Sequence, residues 1–244
     1  MKKGQITIFI IIGIIIFCLI FFFFIIKNSS LKSKNGDVDG INGFVENCIR
    51  TTGAEVVYEV GKHGGYYFPP NISTDSGIAY HYFNDKSYVP SKQGIEKEIS
   101  FYTARKLFFC TRNFVDFPDY NVTQGEIDIK TTIEDDGVVF SVNYPLSIKK
   151  GENVWLIKTF NNILVPVRLG VLYNSAVDFE KKSFEGACLS CLLKLSLEND
   201  FYIDMIDYDK SSIVFIFRDE KSRMNNEDFR YIFANKYKSE RVEI

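Results

Sequence analysis

The chain has 244 residues, of which 46% are hydrophobic and 25% are charged, with a formal net charge of −2. This near-neutral balance argues against a strongly basic nucleic-acid binder, so no nucleic-acid partner is expected. Apolar and aromatic residues run throughout the chain, which excludes a disordered acidic tail.

Charged residues are distributed unevenly along the chain. None occurs between residues 4 and 26, and all 31 acidic residues follow Lys27. Residues 6–26 are mostly Ile and Phe, and a helix of this length spans roughly 32 Å, enough for a bilayer core of about 30 Å. A cleaved secretory signal would have a shorter apolar region and a small-x-small site. We therefore predict an uncleaved, single-pass transmembrane anchor, with the lipid bilayer as the partner of residues 6–26.

Basic residues flank both ends of this anchor. Lys2, Lys3 and the free amine precede it, whereas Lys27, Lys32 and Lys34 follow it. The N-terminal charges hold the short N-terminus on the cytoplasmic side, which predicts a cell-membrane protein with its large domain outside. The alternative is a domain that faces the cytoplasm, where all cysteines stay reduced.

The residues ahead of the anchor, Lys2-Lys3-Gly4-Gln5, resemble the class III signal peptides of archaeal type IV pilin-like proteins. The resemblance implies that a dedicated peptidase cuts after Gly4 and leaves Gln5 as the new N-terminus. Phe9 stands where pilins usually carry the Glu that neutralises a neighbour's N-terminal amine during assembly. The resemblance therefore implies an accessory component more than a major filament subunit.

Residues 3–13 also resemble the start of a group of uncharacterised single-anchor membrane proteins from small-genome archaea. The later segments Gly64-Gly65-Tyr66-Tyr67 and Cys188-Leu189-Ser190-Cys191 are similar to segments of the same group. That group has no known activity, so the resemblance implies the single anchor and no chemistry.

The first residues after the anchor are polar. Residues 27–40 are rich in Gly, Ser, Asn and Asp, which predicts a flexible linker. From Ile41 apolar residues recur every three or four positions, which predicts a helix that ends near Gly61 or Gly64.

Two short β elements are expected next. Residues 66–68 form an aromatic run before two prolines, which predicts a short strand. Residues 78–83 and 86–89 flank Asn84 and Asp85, a pattern typical of a β-hairpin.

A second helix is predicted over residues 92–112. Ser91 can cap its N-terminus, and acidic residues come early and basic residues late, as the helix dipole favours. Its apolar positions include Ile95, Ile99, Tyr102, Phe109 and Cys110.

The clearest β pattern surrounds Asp136 and Gly137, a type I′ turn signal. Apolar and polar residues alternate over residues 127–133 before the turn. After the turn, apolar side chains occupy every second position, at Phe140, Val142, Tyr144, Leu146 and Ile148. The alternation predicts a central hairpin whose even-numbered residues face the core. Pro145 falls on the opposite face, which suits an edge or a bulge.

The rest of the chain continues the mixed pattern. Strands are predicted at residues 154–160, 163–167, 200–208, 213–218 and 229–233, and helices at residues 170–183 and 188–198. The order of elements predicts an α+β fold with a mostly antiparallel sheet and several packed helices. Residues 41–244 then form the domain, either as one body or as two subdomains. Parallel βαβ alternation is poorly supported, which argues against a Rossmann-type cofactor site.

The chain has five cysteines, and Cys18 lies inside the predicted anchor as an apolar filler. The other four, Cys48, Cys110, Cys188 and Cys191, allow three disulfide pairings. Cys48 and Cys110 lie on the apolar faces of two predicted helices, so they can form a disulfide when these helices pack. Disulfides are favoured if the domain lies outside the cell. Cys188 and Cys191 begin a predicted helix, where a thiol pKa falls. A local disulfide, buried thiols, a redox pair and a zinc site stay open for them.

Motifs of known catalytic sites do not occur in the sequence. It has no H-E-x-x-H, no G-x-S-x-G and no P-loop. His63 lies in a glycine-rich helix exit, and His81 lies among aromatic residues of a predicted strand. We therefore predict no catalytic residue, no metal and no cofactor, although a Ser–Lys or carboxylate-pair site has no reliable sequence signature.

Aromatic residues are dense between residues 66 and 88. Aromatic rings with polar tips suit glycan or partner binding, which makes a candidate binding patch of Tyr66, Tyr67, Tyr80 and Tyr82. The same residues suit half-buried strands, and core packing is the favoured interpretation.

Sequons for N-glycosylation begin at Asn28, Asn71 and Asn121. All three fall in a predicted linker or loop, as an accessible acceptor must.

These features predict a membrane-anchored surface or interaction protein, with a pilin-like accessory component as the finer form of that role. Its partners besides lipid are then other surface or pilus-like proteins. The alternative is a membrane-anchored enzyme or thiol-redox protein that uses Cys188 and Cys191, and an enzyme is the less favoured class.

Overall fold

The structure is a computed structural model that describes residue 16 and residues 36–182, 187–224 and 226–237. The chain forms two compact units, Met1–Phe44 and Val45–Ile244. The predicted anchor, with Cys18, lies outside the described residues except for Ile16, as do Gly4 and Gln5. No helix among the described residues is long and apolar enough to cross a membrane. The anchor therefore stays a prediction.

The described residues form an α+β fold with mostly antiparallel sheets and several helices, as the sequence predicts. The helices are α1 (Gly36–Lys62), α2 (Lys92–Thr111), α3 (Leu169–Glu180) and α4 (Leu189–Asn199), with a 3₁₀ turn at Arg112–Phe114. The strands are β1 (Tyr80–Phe83), β2 (Lys86–Ser87), β3 (Asn121–Gln124), β4 (Asp128–Ile133), β5 (Val138–Lys150), β6 (Asn153–Val165), β7 (Tyr202–Asp207), β8 (Ser212–Met224) and β9 (Glu227–Lys236).

The first sheet has the strand order β2-β1-β9-β8-β7, and its pairs are antiparallel except for the parallel pair β1 and β9. One face of this sheet carries a row of buried aromatic side chains from β8 and β9, which are Phe215, Phe217, Phe229, Tyr231 and Phe233. Helix α3 packs on this face, because the ring of Phe179 lies 4.8 Å from that of Phe215. Burial of these rings supplies a large part of the apolar area that stabilises the unit.

The second sheet is built around β5. Strand β4 pairs with its first half and β3 with its second half, while β6 runs along the other edge of β5 over its whole length. The register between β5 and β6 shifts between Asn143 and Leu146. Pro145 lies within this shift, which agrees with the expected edge or bulge position.

The even-numbered residues of β5 face the core, as the alternation predicts. Between 0% and 1% of each side chain's surface is exposed at Phe140, Val142, Tyr144, Leu146 and Ile148. Helix α1 covers this face at Gly53, where an added Cβ would lie 2.8 Å from the ring of Phe140. A glycine is required there because no other residue allows the helix so close to the ring.

Helices α1 and α2 are joined by a disulfide between Cys48 and Cys110, with a Cα–Cα distance of 5.8 Å. This bridge is the one expected from the two apolar helix faces. The Lys106 Nζ lies 2.8 Å from Glu55 Oε2 and adds an ion pair between the same two helices. The link closes a loop of 62 residues, which restricts the unfolded chain.

Two sequence predictions are wrong in detail at the N-terminal side of the domain. Residues 36–40 belong to α1 and not to the linker, and Asp39 falls in the first turn, where negative charge is favourable. Residues 66–68 form no strand. The Tyr67 backbone N–H donates to Glu98 Oε2, and its ring stacks on Tyr102, so this segment packs on α2 instead of joining a sheet.

Other boundaries differ less. The two strands predicted before and after residues 161–162 form the single strand β6. Asn162 lies within this strand in the left-handed conformation, with φ of 59°. The hairpin at Asn84 and Asp85 is present, and both residues have positive φ. Strand β3 was not predicted, since its four residues are too few for a recognisable alternation.

Candidate functional site

Strand β4 has β5 on one side and helix α2 on the other. The Thr131 N–H donates to Ser100 Oγ at 3.1 Å, and the Ile133 N–H donates to Glu96 Oε1 at 3.0 Å. In an antiparallel strand, alternate residues direct their backbone groups to the same side. Two side chains of α2 therefore occupy the place of a neighbouring strand along the second half of β4.

The first half of β4 has no such cover from α2. By the same alternation, the backbone groups of Ile129 point to the α2 side, as those of Thr131 do. A cleft of about 450 Å³ lies there between α2 and residues 127–131. It continues into a second cleft of about 720 Å³, and both are lined by Phe101, Ala104 and Ile127. We call the two together the α2–β4 cleft.

The helix wall of the α2–β4 cleft carries an exposed apolar row among polar residues. Phe101 and Phe108 keep 53% and 52% of their surface exposed. With Ala104 between them, they follow one face of α2 at helical spacing. The Arg105 guanidinium lies 5.3 Å from the centre of the Phe101 ring, within cation–π distance. Exposed phenylalanines that line a concave surface are typical of an interaction site.

The far end of the cleft is polar, and neutral side chains lie there beside Arg105 and Glu126. The Tyr144 hydroxyl donates to Gln124 Oε1, and Gln124 Nε2 donates to Asn113 Oδ1 at 3.1 Å. Burial raises the pKa of the Tyr144 hydroxyl, against a smaller lowering by its hydrogen bond to Thr111. The hydroxyl therefore stays neutral at physiological pH and can hydrogen-bond to amide groups.

Sequence reasoning misses the cleft because it places Ile95 and Ile99 correctly on the buried face of α2 but counts Phe109 with them. The buried row is Ile95, Ile99, Thr103, Leu107 and Thr111, whereas Phe109, expected in the core, is 73% exposed. One signal was available: α2 carries more aromatic residues than a single buried face accommodates. Which of them are exposed depends on how the helix packs, which its own sequence does not specify.

The aromatic residues proposed as a binding patch belong to two segments, a loop with Tyr66 and Tyr67 and strand β1 with Tyr80 and Tyr82. Tyr80 and Tyr82 are 6% and 4% exposed, and their hydroxyls contact Ser212 and Asp85. Tyr66 and Tyr67 are half-buried. The burial of Tyr80 and Tyr82 favours core packing for these two, in line with the favoured interpretation.

Cys188 and Cys191 form a second disulfide at the start of α4, with a Cα–Cα distance of 5.2 Å. The Cys191 N–H donates to Cys188 Sγ, which caps the helix. Helix α4 leads into β7, which pairs antiparallel with β8, so the pair does not lie in a βαβ unit of the thioredoxin kind. No cluster of three or more His, Cys, Asp or Glu in the described part of the chain could hold a metal.

Two buried ionisable groups have shifted pKa values but do not line the cleft. Burial lowers the pKa of His81 to about 4, and its Nε2 lies 3.0 Å from the Gly64 carbonyl oxygen. Burial raises the pKa of Glu180 to about 7, although a hydrogen bond from Asn235 acts in the opposite direction. Both side chains contact the interior of the first sheet, where they hold backbone or amide groups.

The candidate modification sites lie in different surroundings. Asn71 is exposed in the loop before β1, and Asn121 is exposed as the first residue of β3. Asn28 lies outside the described residues, as do Gly4 and Gln5. The three sequons and the processing site stay predictions.

Comparison with known proteins gives no further guide. No family model, no curated protein and no solved structure matches the chain. The resemblances of the N-terminal residues therefore stay expectations, and the function has to be argued from the geometry of the domain.

Proposed function

We propose that this chain is an interaction protein, held at the cell membrane by residues 6–26 with its α+β domain outside the cell. The α2–β4 cleft is the surface by which it binds an extended segment of a partner protein. The observation that carries this proposal is the row of exposed phenylalanines, Phe101 and Phe108, along a cleft that leads to the open part of β4.

The chemistry of the cleft selects an extended peptide as its occupant. An added strand satisfies the backbone groups of an open sheet edge, and its alternate side chains fill the pockets beside it. Here the edge is provided by Ile127 and Ile129, and the pockets lie against Phe101, Ala104 and Phe108. Ser100 and Glu96 already bond to the next part of β4 as a strand would, so the peptide ends beside Thr131.

An outside location agrees with the two disulfides among the described residues, because such bonds persist in oxidising surroundings.

A pilin-like accessory component is the finer form of the proposal, and it rests on Gly4 and Gln5. For the outside location, protease added to intact cells should digest the domain while a cytoplasmic marker protein stays intact. For processing after Gly4, N-terminal sequencing of the mature protein should begin at Gln5. Protection of the domain until the cells are lysed would contradict the outside location. A start at Met1 or Lys2 would leave a plain signal anchor.

Substitutions on α2 test the cleft. Random peptides displayed on phage are selected against the full chain in detergent, and the best binders are measured by titration. We expect enriched peptides to alternate apolar and other residues and to lack a central proline. Phe101→Ser and Phe108→Ser should each weaken their binding by about tenfold or more, as loss of an aromatic anchor does.

Phe109→Ser is the matched control, since Phe109 lies on the same helix and is more exposed but does not line the cleft. Ala104→Trp provides a second variant that fills the cleft without removing an aromatic ring. Equal affinities for all four variants and the unchanged chain would refute the proposed site, as would a selection that enriches no peptide.

The alternative function, an enzyme or thiol-redox protein using Cys188 and Cys191, stays a prediction. Both cysteines are partly exposed, which a redox pair requires. The antiparallel setting of β7 gives them no thioredoxin-like neighbourhood, so the interaction role is the better supported of the two.

A further inference from the structure

Strand β6 is an edge of the second sheet. It pairs with β5 along one side, and no strand in the described part of the chain pairs with its other side. Such an edge presents a row of backbone N–H and C=O groups that can pair with another chain. The first half of β6 reads Asn153-Val154-Trp155-Leu156-Ile157-Lys158, with four consecutive apolar residues.

Apolar side chains lie on both faces of this half-strand. Val154 and Leu156 are 56% and 69% exposed, and they lie opposite Lys149 and Ser147 of β5. Trp155 and Ile157 are half-buried on the other face, since their partners on β5 are the buried Ile148 and Leu146. An added strand would therefore cover apolar surface on both faces as well as the backbone.

Natural edge strands are usually protected by a proline, a central lysine or a bulge. On β6 the left-handed residue Asn162 lies in the second half, and the first half has no proline. Its one charged residue, Lys158, stands at the end of the apolar run. The segment thus combines high β-propensity with low charge, the signature of a strand that pairs.

We propose that residues 152–158 pair antiparallel with the same residues of a second copy of this chain, so that the two second sheets become continuous. A two-fold axis through Trp155 places Val154 opposite Leu156 of the second copy. The same register places Lys158 opposite Glu152 of the second copy. The apolar Val154 and Leu156 then meet and the opposite charges of Lys158 and Glu152 meet, which stabilises cross-strand pairs, while Asn153 lies opposite Ile157.

This self-complementarity is what selects a second copy as the occupant. A closed two-fold contact uses the same patch on both chains and leaves neither copy of that patch open. Strand β4 lies on the far side of β5 from β6. If the proposed function is right, the dimer therefore carries its two α2–β4 clefts at opposite ends of the joined sheet, and it binds a repetitive partner with avidity.

Cysteine crosslinking tests the register in the full chain, in detergent, with Cys18→Ser to remove the unpaired thiol. Trp155→Cys stands opposite itself across the axis, at a Cα separation of about 4.5–5.5 Å that a disulfide can span. We expect a covalent dimer on mild oxidation. Ile157→Cys is the control, because the two copies of residue 157 lie roughly 13 Å apart along the strand and stay uncrosslinked. Crosslinking at both positions alike, or at neither, would overturn the register.

A charge exchange on exposed residues tests the dimer without touching the apolar run. By sedimentation equilibrium, Lys158→Glu and Glu152→Lys should each weaken the dimer by about fivefold, because like charges then face each other. The double variant restores opposite charges and should recover the original affinity. Leu156→Lys should abolish the dimer, whereas Leu164→Lys, on the same face of β6 beyond Asn162, should leave it unchanged. A full chain that stays monomeric at all concentrations would refute the proposal. A double variant whose dimer affinity is weakened by the product of the two single effects, instead of restored, would refute it as well.

Discussion

Replacing Phe140 by alanine is expected to lower the free energy of unfolding by about 3–5 kcal/mol, the range for removal of a fully buried phenylalanine. The side chain is fully buried on the core face of β5. Helix α1 meets its ring at Gly53, where there is no side chain that could move into the space left behind. The cavity would therefore stay largely open, which places the expected loss in the upper part of that range.

The measurement is urea denaturation of the full chain in detergent, followed by circular dichroism. Ser141→Ala is the matched control, because Ser141 is the next residue of the same strand and faces the other side. We expect its effect to be within about 0.5 kcal/mol. Similar losses for the two variants would mean that the assignment of the two faces of β5 is wrong.

Local periodicity explains why this part of the fold is predictable from the sequence. The alternation over β5 and the turn at Asp136 and Gly137 involve residues close in the chain, and a period of two specifies one face. The Cys48–Cys110 bridge was expected for a related reason, since each cysteine lies on a helical face that its own neighbours define. Patterns of this kind need no knowledge of distant segments.

The features that escaped prediction depend on segments far apart in the sequence. The parallel pairing of β1 with β9 joins residues about 150 positions apart, and no local pattern specifies it. The exposure of Phe101 and Phe108 depends on which face of α2 meets the sheet. The open half of β4 likewise appears only once Ser100 and Glu96 are placed beside its other half.

The least predictable contact is an ion pair between Arg168, at the start of α3, and Asp219 of β8. The Asp219 side chain is fully buried and that of Arg168 is 19% exposed. Arg168 Nε donates to Asp219 Oδ2 at 3.1 Å, and the guanidinium also donates to the carbonyl oxygens of Asn199 and Asp200. The Ser222 hydroxyl donates to the same carboxylate. This ion pair therefore holds the start of α3 and the end of α4 against the first sheet.

Asp219→Ala is expected to lower the free energy of unfolding by about 3–5 kcal/mol, because it leaves the Arg168 charge without its partner in a largely buried place. Asp116→Ala is the matched control: Asp116 pairs with Arg112 on the surface, where both side chains are at least half exposed, and such pairs contribute about 1 kcal/mol or less. Both values come from urea denaturation at pH 7. Equal losses for the two variants would show that the buried pair contributes no more than a surface one.

The same pair predicts a dependence of stability on pH. Burial by itself would raise the pKa of Asp219, but the hydrogen bonds from Arg168 and Ser222 and the charge of Arg168 outweigh it and hold the pKa below the usual value. A carboxyl group with a lowered pKa in the folded state stabilises the fold above its unfolded pKa, and this contribution is lost as the pH falls through the folded pKa. Asp219→Asn keeps the shape of the side chain and removes its charge. As the pH is lowered from about 5, the urea midpoint of this variant should therefore fall less steeply than that of the unchanged chain. Parallel curves for the two proteins would mean that the charge of Asp219 does not stabilise this fold.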